Sequence, residues 1–134
     1  MISNKFELVV MMAERLVVQA SVDSLVLFTV EGQLAVFANH APLMATLEPG
    51  VLQYRRDGIT RKLAVSGGFL EVLNNQAKVF AFTAEKPEEI DLTRAMQAKQ
   101  KAEGILEHSA AEKDMIKAQT ALKRALARIS AAKR

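Results

Sequence analysis

Apolar and β-branched residues fall in short runs between residues 6 and 82, and residues typical of turns separate the runs. Segments such as Glu48-Pro49-Gly50 and Arg56-Asp57-Gly58 supply the glycine, proline or aspartate that a tight turn needs. Runs bounded in this way predict an all-β region whose strands follow one another about every 8–12 residues, which favours a small sandwich or flattened barrel. Eight strands are predicted: Phe6–Met11, Leu16–Ala20, Ser24–Val30, Gln33–Phe37, Val51–Arg55, Thr60–Val65, Phe69–Leu73 and Lys78–Phe82.

After residue 90 the pattern changes, because apolar residues now recur every three or four positions. This period predicts two α-helices, over about 91–106 and 110–131, joined by a short turn into an antiparallel hairpin. Asp91 stands where it could cap the first helix, and the Ser-Ala-Ala-Glu segment at 109–112 has the spacing of a capping box for the second.

The chain is thus predicted to be an α+β protein in two parts. An N-terminal all-β sandwich or flattened barrel, residues 1–86, precedes a C-terminal antiparallel two-helix hairpin, residues 87–134. The apolar face of the hairpin is mostly alanine, which buries little area at about 25 cal/mol per Å². Gly104 weakens the first helix further, by about 1 kcal/mol relative to alanine. We therefore expect the hairpin to be marginal unless docked, and hence movable.

Charge and aromatic content divide at the same place. Residues 1–90 contain eight basic and ten acidic residues, whereas residues 91–134 contain ten basic and five acidic residues, so the local net charges are −2 and +5. All seven aromatic residues precede position 83. The helical part is therefore a basic element without aromatic side chains, and these are the side chains on which nucleic-acid bases stack. Nucleic acid is accordingly not an expected partner.

The composition excludes several kinds of chemistry. There is no cysteine, so disulfides, thiolate nucleophiles and cysteine-ligated metal sites are excluded, and the two histidines are too few for an all-histidine metal site. Charged residues interrupt every long apolar stretch, and Lys5 and Glu7 fall where a signal peptide would need apolar residues. We expect a soluble, intracellular chain with no metal site and no required cofactor.

No constellation of catalytic residues is evident, so no catalytic residue is predicted and the chain is not expected to be an enzyme. His40 lies in a proline-containing loop, where it could act as a general base but more often anchors the loop by a hydrogen bond. Lys117, Arg124 and Arg128 lie on one face of the second helix. They form either a solvated face or a surface for acidic partners or phosphates.

Several segments occur in the order and spacing of a known family. They are Glu31-Gly32-Gln33-Leu34, Asn39-His40-Ala41-Pro42-Leu43, Leu47-Glu48-Pro49-Gly50, Val65-Ser66-Gly67-Gly68-Phe69-Leu70-Glu71-Val72, Ala84-Glu85 and Ile90-Asp91-Leu92-Thr93-Arg94-Ala95. With them the chain resembles, over nearly its whole length, the epsilon subunits of bacterial F-type ATP synthases, called delta in mitochondria. It departs from the family at residues 35–38, where Ala-Val-Phe-Ala replaces the usual Gly and Pro, and at Met11-Met12.

The resemblance implies a non-catalytic subunit of the central stalk in a proton- or sodium-translocating synthase. The sandwich would bind the gamma subunit and rest on the c-ring, with Glu31, Gln33 and His40 facing that ring. The hairpin would either fold on the sandwich or extend along gamma to the alpha and beta subunits and block ATP hydrolysis. The basic residues expected to make these inhibitory contacts are Lys117, Lys123, Arg124 and Arg128.

The resemblance also implies a location and a regulatory ligand. The chain would be peripheral, attached through the complex to the cytoplasmic face of the bacterial plasma (inner) membrane. Some members bind ATP at a site whose residues correspond here to Glu85, Asp91, Arg94, Arg124 and Arg128. Two alternatives stay open: Asp91 merely caps the helix while Arg94 pairs with a nearby Glu, and the whole chain is a free-standing regulatory module that binds a ligand or a partner.

Overall fold

The computed structural model describes residues 4–109 and 111–133, and β-strands account for most of the chain before residue 86. There are ten strands: β1 Phe6–Met11, β2 Leu16–Val22, β3 Ser24–Thr29, β4 Gly32–Phe37, β5 Leu43–Leu47, β6 Gly50–Arg56, β7 Ile59–Val65, β8 Gly68–Leu73, β9 Gln76–Ala81 and β10 Ala84–Glu85. All eight predicted strands are present, with ends within two residues of the prediction. The α+β class is confirmed, and β5 and β10 are additional strands.

The ten strands form one sheet that folds over a single apolar core. Its order is β10-β7-β6-β3-β5-β8-β9-β1-β2, with β4 paired to β3, and the pairing of β1 with β9 is parallel while the others are antiparallel. Every strand contributes to the core. Its largest fully buried side chains are Leu8, Leu25, Leu52, Leu63, Leu70, Val10, Val22, Val36 and Val79. The alternation of inward and outward residues therefore gives a closed apolar interior.

Strand β5 was missed because only part of it resembles a strand. Leu43, Ala45 and Leu47 alternate with more exposed residues, as strand geometry requires, but Leu47 alone of the five is fully buried. The strand also lies between two prolines, which suggested a loop. It pairs with β8 along its whole length and with β3 only through Leu47 and Thr29.

One backbone position in β8 requires glycine. Gly68 has φ +140°, a conformation that residues with a Cβ rarely adopt, and it pairs with both β5 and β9. A Cβ added here would overlap the carbonyl oxygen of Phe80 and come within 3.0 Å of the Cα of Ala81. Both of those atoms belong to the backbone of a paired strand, so they cannot move aside without disturbing the sheet.

The predicted helical hairpin is confirmed. Helix α1 spans Leu92–His108 and α2 spans Glu112–Ala132. Asp91 caps α1, because its carboxylate accepts from the amide of Arg94 at 3.0 Å. The predicted capping box at 109–112 is wrong: α2 begins after Ala111, and the Ser109 hydroxyl accepts from the Ala111 amide at 3.3 Å.

The capping box fails because the amide of Ser109 is already in use. It donates to the carbonyl oxygen of Ile105 at 2.8 Å and so closes the last turn of α1. It is therefore unavailable to donate the reciprocal bond to the Glu112 carboxylate that defines the motif. Residue 110, where the second helix was predicted to begin, lies outside the described residues.

The hairpin lies on the outer face of β6 and β7 through α2. Val51 and Ala64 of these strands form a small buried cluster with Ala127 and Ala131 of α2, and Ile90 of the linker packs against it. Helix α1 packs on α2, and the buried residues of the two helices are all alanines: Ala95, Ala102, Ala118, Ala125, Ala127 and Ala131. The hairpin is thus docked through small side chains, which bury little apolar area per residue.

We predict that Gly68→Ala lowers the free energy of unfolding by roughly 3 kcal/mol, because the new methyl group meets paired backbone in a conformation that disfavours it. Gly104→Ala is the matched control. Nothing lies within 4 Å of a Cβ at that position, so in α1 it should raise helix stability by about 1 kcal/mol. Urea unfolding followed by circular dichroism measures both, and equal effects of the two substitutions would contradict the structure.

Candidate functional site

Among the described residues, two ion pairs join the hairpin to the sandwich, and the shorter one is partly buried. The Nε of Arg128 in α2 donates to Oε1 of Glu85 in β10 at 2.6 Å, and the two side chains are 31% and 27% exposed. Five residues earlier, Lys123 donates to Oε2 of Glu48 at 3.3 Å, in a more exposed pair. Two basic residues of α2 are therefore held by carboxylates of the sandwich while the hairpin is docked.

Arg124 lies beside the first of these pairs. Together with Glu85 and Arg128 it lines a narrow crevice between α2 and the end of β7, whose free volume is about 0 Å³. Ser66 borders the crevice, and its hydroxyl accepts hydrogen bonds from the amide and the hydroxyl of Thr83 at 2.9 and 2.7 Å. Three of the five residues predicted for an ATP site thus lie together, in a crevice that is closed in the docked state.

The other two predicted ATP-site residues lie at the start of α1. Both side chains are exposed. The two residues are linked by the helix cap, in which the Asp91 carboxylate accepts from the Arg94 amide. Within residues 4–109 and 111–133 the Arg94 guanidinium forms no ion pair, so the predicted pairing with a nearby Glu is absent from the docked state.

The linker between the two parts is fastened to the sandwich. Pro87–Glu89 forms a 3₁₀ turn, and Nη2 of Arg15 lies 3.0 and 2.9 Å from the two carboxylate oxygens of Glu89. The amide of Lys86 also donates to this carboxylate at 2.9 Å. That amide and, to a lesser degree, Arg15 hold the pKa of Glu89 below its ordinary value. Glu89 therefore stays ionised at neutral pH and fixes the linker next to the turn between β1 and β2.

The remaining basic residue of the predicted stripe, Lys117, is exposed. With Arg124 it lines a groove of about 710 Å³ between the outer parts of α1 and α2, where Ile105 and Ile116 supply apolar surface. Lys117 lies in no ion pair with the described carboxylates. The four predicted inhibitory residues are therefore divided between two that the sandwich holds and two that border the interhelical groove.

The residues predicted to face the c-ring lie along strand β4. Glu31 and Gln33 are exposed at its start, where the Thr29 hydroxyl accepts from the Glu31 amide at 3.1 Å. His40 follows its end, and Nδ1 donates to the carbonyl oxygen of Ala41 at 2.8 Å, as expected of a loop anchor. A strand of six residues separates the two groups by about 20 Å. They share an edge of the sheet but form no single cluster.

An exposed aromatic surface was not predicted. Phe69 of β8 and Phe80 of β9 are cross-strand partners, and Phe82 lies beside Phe69 with ring centroids 6.4 Å apart in an edge-to-face arrangement. These three side chains, the aromatic patch, are 51%, 42% and 67% exposed. Contiguous exposed aromatic side chains usually mark an interface. The available signal was alternation, since Phe69 and Phe80 fall between buried neighbours on their strands.

Two further properties concern metals and membranes. Among the described residues, no group of three or more His, Asp and Glu side chains is placed to hold a metal ion. Neither α1 nor α2, over the part of the chain that is described, is long and apolar enough to span a membrane.

Comparison with known families gives two matches that together cover almost the whole chain. Residues 5–87 match the β-sandwich domain of the ATP synthase delta/epsilon chain, and residues 88–133 match the long α-helix domain of the same chain. A relative from Symbiobacterium thermophilum named ATP synthase epsilon chain is 43% identical over 126 residues, which are 93% of this chain and 91% of that one. One of the same name from Syntrophomonas wolfei is 42% identical over 135 residues, covering 100% and 98%.

Solved structures give the same result. A chain in the Euglena gracilis mitochondrial ATP synthase, in a structure of OSCP, F1 and the c-ring, superposes with a TM-score of 0.84 at 25% identity, covering 98% of this chain and 82% of that one. A chain from the central stalk and c-ring of the Tetrahymena thermophila mitochondrial ATP synthase has a TM-score of 0.68 at 16% identity, covering 99% and 100%. The second likeness concerns the fold alone.

We predict that Glu85→Gln accelerates hydrogen exchange of the α2 amides about fivefold. The substitution removes a charge-assisted contact that contributes about 1 kcal/mol to docking, and an undocked alanine-rich hairpin is only marginally helical. Glu48→Gln is the matched control and should change exchange less than twofold, because its ion pair is longer and more exposed. Exchange that responds equally to both substitutions, or to neither, would show that the Arg128–Glu85 ion pair does not hold the hairpin.

Proposed function

Because the chain belongs to the delta/epsilon-chain family of ATP synthases, we propose that it joins the gamma subunit to the c-ring in the central stalk and restrains ATP hydrolysis through its C-terminal hairpin. The chain is a non-catalytic subunit of an ATP synthase, and the alternative of a free-standing regulatory module is not favoured. The observation that supports the regulatory role is the way in which the hairpin is attached, through alanine side chains and two ion pairs at the surface.

The contacts between the hairpin and the sandwich are weak enough for the hairpin to leave its docking surface. Its apolar contact with β6 and β7 consists of Val51, Ala64 and two alanines of α2, which bury little area. The rest of the docking depends on Lys123 and Arg128, whose carboxylate partners belong to the sandwich. Acidic segments of the alpha and beta subunits would offer these same two cations an equivalent partner. The docked and extended states then differ little in free energy, so small changes in the complex can shift the population.

The sandwich has two exposed surfaces, one for the gamma subunit and one for the c-ring. The aromatic patch supplies the exposed apolar area that a permanent interface requires, and we assign it to the gamma subunit. The exposed edge along β4, with Glu31 and Gln33 at one end and His40 at the other, is assigned to the c-ring. Phe37, which is 58% exposed on the same strand, adds an apolar contact between those two ends. Contact with the membrane would then be made only through the complex, at the cytoplasmic face of the bacterial plasma membrane.

A regulatory ATP would bind where α2 meets the end of β7. Arg124 and Arg128 present guanidinium groups suited to phosphate oxygens, and Glu85 can accept from an adenine amino group or a ribose hydroxyl. The crevice is closed in the docked state, so ATP would enter by displacing Arg128 from Glu85. Asp91 and Arg94 complete the proposed site only if the start of α1 approaches the same ligand. Bound ATP would hold the hairpin on the sandwich and so relieve inhibition.

The test of the inhibitory role is removal of the hairpin. Deleting residues 91–134 should raise ATP hydrolysis by the assembled enzyme about fivefold or more and leave assembly intact, since the sandwich carries the proposed gamma and c-ring surfaces. Neutralising Lys117 and Arg124 together, the two predicted inhibitory residues that form no ion pair with a described carboxylate, should reproduce much of the increase without shortening the chain. Hydrolysis that is unchanged by the deletion at every ATP concentration would contradict the inhibitory role.

The test of the ATP site is calorimetry on the full-length isolated chain. Wild type should bind ATP with a dissociation constant at or below the millimolar range, and Arg94→Ala or Arg124→Ala should each weaken binding about tenfold by removing a charge-assisted phosphate contact. Arg15→Ala is the control, because its partner Glu89 lies outside the crevice. No heat at millimolar ATP, or binding that survives both crevice and helix-start substitutions, would exclude the site.

A further inference from the structure

A second, open cleft lies where the sandwich, the linker and the end of α2 meet. It has a volume of about 700 Å³, within the range of small-molecule binding sites. Its lining comes from β6, β7, the linker and the last residues of α2. The cleft shares no lining residue with the closed crevice at Glu85. Its charged residues are Arg56, Arg61, Lys62, Lys86, Lys133 and a single acid, Glu88.

The positive charge in this cleft is largely uncompensated. Of its five cations, Arg56 alone forms an ion pair with a described carboxylate, and that pair, with Asp57, is long at 3.9 Å. The five come from three segments distant in sequence, so the fold assembles them, and they are not one local run of charge. Like charges brought together in a concave surface repel one another and raise the local potential, and a bound anion relieves that repulsion.

The side chains favour a phosphoryl anion over a monovalent one. Arg56 ends β6 and Arg61 lies in β7 opposite Tyr54, so two guanidinium groups border the cleft from paired strands. Planar guanidinium groups bind phosphate oxygens through two parallel hydrogen bonds, and the lysines add point charges. Tyr54, although only 9% exposed, also borders the cleft.

We propose that this cleft binds a multivalent phosphoryl anion. The chemistry it recognises is a chain or cluster of phosphate groups, because the lining contains five cations and one carboxylate. The crevice at Glu85 contains two arginines and one carboxylate, so the cleft has the larger excess of positive charge.

The position of the cleft couples the anion to the hairpin. Ala131, Ala132 and Lys133 of the α2 end line it together with strand and linker residues, so the cleft is complete only while α2 is docked. A ligand that binds one of two states stabilises that state, and a phosphoryl anion therefore favours the docked hairpin. This coupling rests on the movable hairpin of the proposed function, whereas binding to the cleft does not.

The test uses inorganic tripolyphosphate, which has no base or sugar, and calorimetry on the full-length chain. Wild type should bind it, and Arg61→Gln with Lys62→Gln should weaken binding at least tenfold, because two charge-assisted contacts are lost. The matched control, Lys99→Gln with Lys113→Gln, removes the same net charge from the hairpin surface and should change affinity less than twofold. Tripolyphosphate binding that is lost with Arg124→Gln but kept with the Arg61 and Lys62 substitutions would place the anion in the crevice at Glu85 and overturn the proposal.

Absence of binding at millimolar tripolyphosphate, or equal weakening by the cleft and control pairs, would overturn the proposal.

Free phosphates and phospholipid headgroups share the recognised chemistry. Flotation with phosphatidylglycerol vesicles, with and without tripolyphosphate, distinguishes the two sources. Vesicle binding that is unchanged by the Arg61 and Lys62 substitutions counts against the cleft as the lipid site. Hydrogen exchange of the α2 amides measures the coupling: tripolyphosphate should slow it in wild type but not in the cleft variant. Tripolyphosphate binding that does not slow the exchange of the α2 amides would overturn the proposed coupling but not the proposed anion site.

Discussion

The small size of the side chains between α2 and the sandwich is the constraint on which the rest of the molecule depends. Ala127 and Ala131 rest on Val51 and Ala64, and this contact allows the helix to approach the sheet closely while burying little apolar area. A leucine-rich contact would hold the hairpin permanently. With alanine, charged groups at the edge of the contact gain weight, above all the Arg128–Glu85 pair and, to a smaller degree, the more exposed Lys123–Glu48 pair.

Those charged groups explain why the basic character of the C-terminal part matters although the whole chain has a net charge of only +3. The sandwich carries acidic residues where α2 passes the crevice, and basic residues where α2 ends at the open cleft. One helix therefore meets a carboxylate at Glu85 and a group of cations around Arg61 and Lys62. The first interaction holds the hairpin without a ligand, whereas a bound anion would add to the second.

Much of the fold could be predicted from the sequence because local signals agree with the tertiary structure. Turn residues delimit eight strands, and the change of period after residue 90 gives both helices. The failures have physical causes. Strand β5 is short of fully buried positions and lies between prolines, and the capping box at 109–112 was overridden when the Ser109 amide completed α1.

The candidate site was less predictable because it depends on which distant residues meet. The pairing of Glu85 with Arg128 spans 43 positions, and the attachment of Arg15 to Glu89 spans 74. Nothing local to these residues indicates the contact. The resemblance to a family indicated Glu85, Arg124 and Arg128, which do lie together, but not the aromatic patch. Phe69 faces outward, and in a strand that alternates strictly the sequence does not say which of its two faces is covered.

The ion pair between Glu89 and Arg15 limits how the hairpin can move. It anchors the chain immediately before α1, so the hairpin can turn about only the two residues between Glu89 and the helix start, Ile90 and Asp91. A helix of 17 residues is a rigid arm of about 25 Å, and the 21 residues of α2 add about 30 Å if the arm straightens. Wherever the hairpin moves, it starts from this pivot, so the combined length of the two helices sets the greatest distance that its far end can reach.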